Sequence, residues 1–283
     1  MPNVWFVGQR PRAQQFDDWY SGLEAEHEAK TPPDLAARIC RTYFAPGDRI
    51  LDPMCGSGVI LVEAARAGLD AWGIELEDRY RRINTANANS ARNRSGRDVW
   101  VYEGDVREQM RAWWQLRSFA GIVIDPPYGE IRQDGGRHRW GTRGALGNYS
   151  GEDRLKRRGR NPLNLGNLKY PDYLAQMQDV YRAGLDLAVP GGVMAVIVRN
   201  YRAKLEEVDL AGDTIRIARA AGWRFHQEII AITSPVKLGD DGPEISPIVS
   251  ATQRRNARVQ TEREGIPQAL YIYNNVLVFK KRR

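Results

Sequence analysis

The sequence has few of the residues that build metal centres or disulfide frameworks. Its 283 residues include three histidines and two cysteines. His27, His138 and His226 stand in separate segments, with no second ligand at the spacing that metal sites use. Cys40 and Cys55 are too few for a disulfide framework, so we expect them to be reduced packing residues. We therefore expect no metal site.

Long apolar runs are also missing. No run reaches the roughly 18 residues of a membrane-spanning helix, and the first residues lack the apolar stretch of a signal peptide. Hydrophobic residues still make up 42% and charged residues 27% of the chain. This composition predicts a globular protein of the cytoplasm without a membrane partner, and it fits neither disordered nor collagen-like proteins.

The surplus of positive charge is concentrated in one segment. The formal net charge is +7, and residues 129–170 hold ten Lys and Arg against four Asp and Glu, with nine of the 27 glycines. This composition predicts a loop that attracts an anionic partner, although a solvated loop without a partner is the alternative. The candidate nucleic-acid contacts are Arg137, Arg139, Arg143, Arg154, Lys156, Arg157, Arg158 and Arg160.

Short apolar strands alternate with helices along most of the chain. This order predicts an α/β fold, with a mostly parallel sheet covered on both faces. Thr31 is expected to cap the first helix. The predicted strands are 49–52, 71–75, 99–102, 121–124, 193–198, 225–232 and 270–279, of which the last two form an antiparallel pair. The other predicted helices are 59–67, 79–91, 172–188 and 214–221.

No linker separates a second folded unit, so one domain is expected over residues 1–283. It would carry an N-terminal segment over 1–30, the basic insert 129–170 and a second loop insert over 233–268. The basic insert is the candidate segment for recognition of an anionic target such as a nucleic acid. Trp140, Tyr149 and Tyr170 lie among its basic residues, as expected where phosphates are bound and bases are stacked.

A glycine-containing turn follows the first predicted strand. The strand ends at Asp52 and runs into Pro53-Met54-Cys55-Gly56-Ser57-Gly58. This is neither a dinucleotide fingerprint, because Leu61 replaces the third glycine, nor a phosphate-binding loop, because the Lys-Ser/Thr ending is missing. Asp52 would also repel a pyrophosphate. A ligand with a neutral or cationic body, such as an amino acid joined to a nucleoside, fits better.

Two further acids follow the next two strands. Glu75 can accept both hydroxyls of a ribose, and Asp105 can accept an exocyclic adenine amine. Each acid alone could instead be a helix cap or a solvated loop residue. Because all lie after successive strands of one sheet, they favour a shared nucleoside site.

The fourth predicted strand leads directly into Asp125-Pro126-Pro127-Tyr128. The prolines restrict the backbone so that the Asp125 carboxylate and the Pro126 carbonyl can accept both N–H groups of one amine. The ring of Tyr128 offers a face on which a planar base can stack. The alternative interpretation is a proline turn beside a core tyrosine.

Together these motifs resemble the S-adenosylmethionine-dependent amino-methyltransferases, which methylate exocyclic amines of nucleobases. Asp52 to Gly58 resembles the cofactor loop, Asp125 to Tyr128 the catalytic tetrapeptide, and Lys30-Thr31-Pro32 the segment that closes over the methionine moiety. The resemblance implies a Rossmann-like, seven-stranded class I methyltransferase fold with an antiparallel last strand. The cofactor residues that it implies are Lys30, Thr31, Asp52, Pro53, Met54, Cys55, Gly56, Gly58, Glu75, Leu76, Asp105 and Val106.

The resemblance also implies a reaction and its substrate. The target base would be flipped into the pocket, where Asp125 and the Pro126 carbonyl hold its amine against Tyr128. Similarity of the back half to bacterial and phage DNA methylases favours DNA, with methylation of adenine N6 or cytosine N4. The alternatives are methylation of an RNA amine, such as guanine N2 of tRNA or rRNA, and a non-catalytic nucleic-acid-binding protein. Methylation of cytosine C5 is disfavoured because Pro127 stands where that reaction needs a cysteine.

Overall fold

The centre of the protein, in a computed structural model, is an eight-stranded mixed sheet. The structure describes residues 2–7, 10, 12–23, 31–116, 118–128, 161–203, 206–239, 242–245, 258, 261–262, 265 and 272–283. The strands of the central sheet are β1 (Val4–Phe6), β2 (Arg49–Asp52), β3 (Asp70–Glu75), β4 (Val99–Glu103), β5 (Phe119–Ile124), β6 (Ala188–Val198), β9 (Arg224–Ile232) and β12 (Tyr273–Lys280). Two separate hairpins are β7 (Tyr201–Ala203) with β8 (Glu206–Val208), and β10 (Val236–Gly239) with β11 (Gly242–Ile245).

Helices cover both faces of the sheet. They are α1 (Arg12–Gln15), α2 (Pro33–Tyr43), α3 (Val59–Arg66), α4 (Asp78–Ser95), α5 (Val106–Ala112), α6 (Tyr170–Leu187) and α7 (Leu210–Ala220), with a 3-10 helix at Leu165–Asn167. One core lies under α2, α3 and α4, and the other under α5, α6 and α7. The strands supply alternate residues to the two cores, as their twofold side-chain period requires: Ile50 faces the first and Leu51 the second.

The order of the strands across the sheet is β1-β9-β12-β6-β5-β2-β3-β4. β12 runs antiparallel to both of its neighbours, and the other pairings are parallel. From β2 the chain builds outward to β3 and β4, and then returns to the other side of β2 with β5 and β6. The strand order therefore reverses between β2 and β5, which is where open α/β sheets bind ligands beyond the carboxyl ends of their strands.

The expected α/β fold is confirmed, including the antiparallel last strand, with one correction: β1 adds an eighth strand parallel to β9. Three residues with one buried side chain give too short a pattern for β1 to be recognised. α5 was also missed, because it buries only Val106 and Met110. β6 begins at Ala188, before the start of the predicted strand 193–198, and part of the expected insert, residues 161–170, contains the 3-10 helix and the start of α6.

The start of α2 also differs from the prediction. Thr31 was expected to cap this helix, but Pro32 holds the N-cap position, and no side chain caps the first turn. The hydroxyl of Thr31 instead donates to Asp125, outside this helix. Within the described residues, no helix is long and apolar enough to cross a membrane.

Candidate active site at the carboxyl edge of the sheet

The glycine turn packs tightly against β3. Gly56 and Gly58 adopt positive φ angles of 51° and 79°, which favour glycine. The Cys55 N–H donates to the Ile74 carbonyl at 3.0 Å. A side chain at Gly73 would place its Cβ 2.8 Å from Cys55 Sγ, so a glycine there lets the turn approach the strand. Cys55 is a free, buried thiol, in agreement with a packing role.

Two buried asparagines of α4 hold the carbonyls of this turn. Asn84 donates through Nδ2 to the Gly56 carbonyl at 3.0 Å, and Asn87 donates to the Ser57 carbonyl at 2.8 Å. The Oδ1 atom of Asn87 accepts the backbone N–H of Ser21 at 2.8 Å. Both asparagines are fully buried. They therefore tie the turn to α4, and Asn87 ties it further to the N-terminal segment.

Glu75 lies beside the turn with both carboxylate oxygens engaged. Oε2 accepts the Gly56 N–H at 2.7 Å, and Oε1 accepts the Glu77 N–H at 2.8 Å. Burial raises the pKa of Glu75 to about 7, and the two backbone donors oppose this rise. A cleft opens on this side of the site, lined by Glu75, Glu77, Asp78, Arg81, Asn84, Thr85, Val101, Tyr102 and Glu103.

Asp52 is the most buried acid of the site, with 1% of its surface exposed. Its Oδ1 atom accepts the Met54 N–H at 3.1 Å. Burial raises its pKa well above the ordinary value, and the nearby charges of Asp125 and Glu75 raise it further. These three acids therefore form one electrostatically coupled group.

Asp125 is half-buried and follows β5 on the other side of the strand reversal. Its Oδ2 atom accepts a hydrogen bond of 2.7 Å from the Thr31 hydroxyl. Burial raises the pKa of Asp125 to about 6, while the Thr31 bond and the charge of Arg199 act in the opposite direction. At neutral pH the carboxylate is thus predominantly ionised and can accept a hydrogen bond.

Tyr128 forms an aromatic wall next to Asp125. Its ring lies nearly parallel to that of Tyr201, with the centroids 5.8 Å apart and the planes inclined by 9°. Burial raises the pKa of its hydroxyl, and so does the charge of Asp125. Of the two intervening prolines, Pro126 is buried and Pro127 is exposed. The tetrapeptide thus holds a carboxylate and an aromatic ring at one point of the edge.

Asp105 has a clear local role. Its Oδ1 atom accepts the Arg107 N–H at 2.8 Å and so caps α5. The same atom accepts Nε of Arg107 at 2.8 Å, and this guanidinium contributes to a lowered pKa of Asp105. The structure thus shows the helix cap that was the alternative interpretation, and a contact with an adenine amine stays a prediction.

Residues 161–168, in the last part of the basic insert, contact the site. Asn164 donates to Glu77 Oε1 at 2.7 Å, close to Glu75 in the sequence. Gly166 packs on the tetrapeptide, and a Cβ at this position would lie 3.1 Å from the Cβ of Pro127. Arg107 donates to the Leu163 carbonyl at 3.4 Å. These contacts attach the segment to both the Glu75 side and the Asp125 side.

The remaining predicted site residues divide into two groups. Pro53 and Val106 are buried, and Met54 and Leu76 are half-buried near the same edge. Lys30 and the eight candidate nucleic-acid contacts lie outside the described residues. Sequence reasoning missed Asn84, Asn87, Asn164 and Tyr201. Asn84 and Asn87 could have been predicted, because their spacing places them on one face of the helix that follows Glu75.

A sequence model of a family described as DNA methylase, and named for N6 and N4 methylation, matches residues 2–86. This range contains the glycine turn and Glu75. The resemblance to the amino-methyltransferases is confirmed.

Relatives of two kinds are similar to parts of the chain. The type II methyltransferase M.BglI of Bacillus subtilis is 27% identical over 116 residues, 40% of this chain and 30% of that protein. The tRNA (guanine(10)-N2)-dimethyltransferase of Methanothermobacter thermautotrophicus is 36% identical over 83 residues, 29% of this chain and 23% of that protein. The chain thus covers less than a third of either relative. The crystal structure of TrmN from Thermus thermophilus is 18% identical and superimposes with a TM-score of 0.46, covering 90% of this chain and 50% of that one.

The asparagine contacts generate a first prediction. Replacing Asn87 by Ala leaves the buried Ser57 carbonyl and the Ser21 N–H without this partner, and should lower the free energy of unfolding by about 2–3 kcal/mol. Urea unfolding measures this change. Asn89→Ala, on the exposed face of the same helix, should change it by less than about 0.5 kcal/mol. Equal effects of the two substitutions would contradict the assignment.

Proposed function

We propose that this protein is an S-adenosylmethionine-dependent methyltransferase that modifies exocyclic amines of nucleic-acid bases, with adenine N6 or cytosine N4 of DNA as the leading targets. The observation that carries the proposal is the position of Asp125. It lies where the strand order reverses, next to the aromatic ring of Tyr128 and on the opposite side from the turn that holds Asp52. A carboxylate and a stacking surface at this point can hold a planar base by its amine.

The charge of the site fits this cofactor. Burial raises the pKa values of Asp52, Glu75 and Asp125, so a bound cation would favour their ionised forms. S-adenosylmethionine supplies a cationic sulfonium and a transferable methyl group. Glu75 would accept its ribose hydroxyls, and the turn from Pro53 to Gly58 would approach it through backbone made accessible by the two glycines. The donors and acceptors present therefore suit a cationic nucleoside.

The tetrapeptide would orient the methyl acceptor. Asp125 accepts one N–H of the target amine and the Pro126 carbonyl accepts the other, which directs the nitrogen lone pair at the methyl group. Both acceptors stabilise the positive charge that develops on nitrogen as the new bond forms. Tyr128 supports the plane of the base. Most of the acceleration would come from this alignment of the two reactants.

The basic insert would bring the nucleic acid to the site. Residues 129–160 contain nine Lys and Arg and four Asp and Glu. The chain enters this segment from Tyr128 and leaves it at residues 161–168, which contact Glu77 and Pro127. The described residues on either side of this segment lie at the rim of the site. This arrangement favours a role in binding phosphates.

RNA is the second candidate substrate. The similarity to tRNA (guanine(10)-N2)-dimethyltransferases favours it, because the modified atom in those proteins is also an exocyclic amine. The family match and M.BglI favour DNA. A non-catalytic nucleic-acid-binding role explains less, because it gives no function to the three acids at the carboxyl edge of the sheet.

Cofactor binding should depend on the charge of Glu75. Its pKa of about 7 should fall when ribose hydroxyls donate to the carboxylate, so binding favours the ionised form. The Kd for S-adenosylmethionine, measured by calorimetry, should therefore rise about tenfold from pH 8 to pH 6. Glu75→Gln should bind weakly with a flatter profile, whereas Asp186→Asn, at an exposed acid of α6, should keep the slope. An unchanged profile in Glu75→Gln would contradict the ribose contact.

Substrate class and catalytic role are tested together by transfer from radiolabelled S-adenosylmethionine. Duplex DNA, single-stranded DNA and tRNA are offered separately, and mass spectrometry identifies the methylated nucleoside. Duplex DNA should be labelled at adenine N6 or cytosine N4. Asp125→Asn replaces an acceptor oxygen by an N–H donor, and should reduce kcat by about 100-fold or more while cofactor binding persists. Asp98→Asn, at an exposed acid, should retain activity.

Three outcomes of this assay would change the proposal. Label confined to tRNA would establish the RNA alternative. Full activity of Asp125→Asn would refute the role of the tetrapeptide. Absence of transfer to all three polymers would refute a nucleic-acid substrate.

The role of the insert is tested by the salt dependence of nucleic-acid binding. Replacing Arg157, Arg158 and Arg160 by Gln should reduce the slope of log Kd against log salt by about 0.9 for each phosphate that these side chains neutralise. A matched triple variant replaces Arg224, Lys280 and Arg282 by Gln. It removes the same charge from the amino end of β9 and the carboxyl end of the antiparallel β12. Its slope should stay close to that of the wild type. Equal slopes in both variants would make the insert a solvated loop.

A further inference from the structure

We propose that Thr31 is a positioning residue that fixes the Asp125 carboxylate, rather than the cofactor contact implied by the resemblance. The proposal rests on the proposed function, since Asp125 is its acceptor for the target amine. The observation is the bond from Thr31 Oγ1 to Asp125 Oδ2, which is 2.7 Å long and joins residues 94 positions apart. Thr31 is 8% exposed, so this contact is largely shielded from water.

The backbone conformations of both residues in this bond are restricted. Thr31 precedes Pro32 and Asp125 precedes Pro126, and a residue before proline is confined largely to extended conformations. Thr31 is also β-branched, which limits the rotation of its side chain. Pro32 is itself held by α2, because its carbonyl accepts the N–H groups of Leu35 and Ala36 at 3.0 Å and 3.1 Å. The hydroxyl is therefore presented to Asp125 from a rigid support.

The bond gives the two carboxylate oxygens of Asp125 different roles. A threonine hydroxyl has one proton to donate, and here Oδ2 receives it. Oδ1 is then the oxygen left to accept the target amine. The bond thus determines which carboxylate oxygen of Asp125 faces the base. Because its one proton is used in this way, the Thr31 hydroxyl cannot at the same time donate to the carboxylate of a bound methionine moiety.

The same bond helps to keep Asp125 ionised. The charged and titratable groups that interact with Asp125 are Asp52 at the end of the adjacent strand β2, Tyr128 of its own loop and Arg199 just after β6. Burial disfavours the ionised form of Asp125, whereas the Thr31 hydrogen bond and the charge of Arg199 favour it. Loss of the Thr31 hydroxyl should therefore shift Asp125 towards its protonated form, which cannot accept the amine through the protonated oxygen.

The test measures the ionisation of Asp125 directly. Carbon-13 NMR of aspartate-labelled full-length protein gives the pKa of this carboxyl group, with Asp125→Asn to assign its resonance. Thr31→Val should raise the pKa by about one unit, and the acid limb of the kcat profile should move to higher pH by the same amount. Thr31→Ser should restore both values. Thr42→Val, in the last turn of α2, should leave them unchanged.

The Kd for S-adenosylmethionine separates positioning from cofactor binding. It should stay within about twofold of the wild-type value in Thr31→Val at pH 8, where Asp125 is ionised in both proteins. A Kd raised about tenfold with an unchanged pKa of Asp125 would restore the cofactor contact and overturn the proposal. Thr31→Ala provides the same measurements if Thr31→Val does not fold.

The proposed function can fail independently of this bond. A protein that transfers no methyl group to any nucleic acid, but whose Asp125 pKa rises in Thr31→Val and recovers in Thr31→Ser, would retain the positioning role. Its substrate class would then be refuted by the transfer assay alone. An Asp125 pKa that is identical in wild type, Thr31→Val and Thr31→Ala would overturn the positioning role, whatever the activity.

Discussion

The site depends on keeping three carboxylates close together and partly withdrawn from water. Asp52 and Glu75 end parallel strands and accept backbone N–H groups, whereas Asp125 follows a parallel strand and accepts the Thr31 hydroxyl. These neutral donors orient the acids but cancel little of their charge. A ligand that brings positive charge therefore gains electrostatic free energy that a neutral analogue lacks, and it stabilises the fold by mass action.

Such a group of acids requires a rigid frame, because each could relax by turning towards water. This frame is formed by the packing and hydrogen bonds of residues that have no assigned catalytic role. Gly73 lets the glycine turn approach β3, and Asn84 and Asn87 hold two of its carbonyls from the other side. The N-terminal segment joins this frame through Ser21. Changes in this segment can therefore alter the geometry of the site from a distance.

The sequence predicted much of the fold and the acids of the site, because both follow local rules. Parallel strands have apolar runs, and an acid that ends a run must lie at the carboxyl edge; Asp52, Glu75 and Asp125 were found in this way. The bond from Thr31 to Asp125 was not predictable, since it joins distant segments and local chemistry favoured a helix cap. Asp105 shows the reverse case, because its neighbour Arg107 engages it in a local cap.

The acids at the strand ends constrain how a polyanion could enter the site. Phosphates would be repelled by these acids, so a nucleic-acid backbone should stay outside, and the sequence over residues 129–160 supplies positive charge that could bind it. A base is neutral and meets no such barrier. The electrostatics therefore favour a base that leaves its stack and enters alone, while its phosphates remain outside.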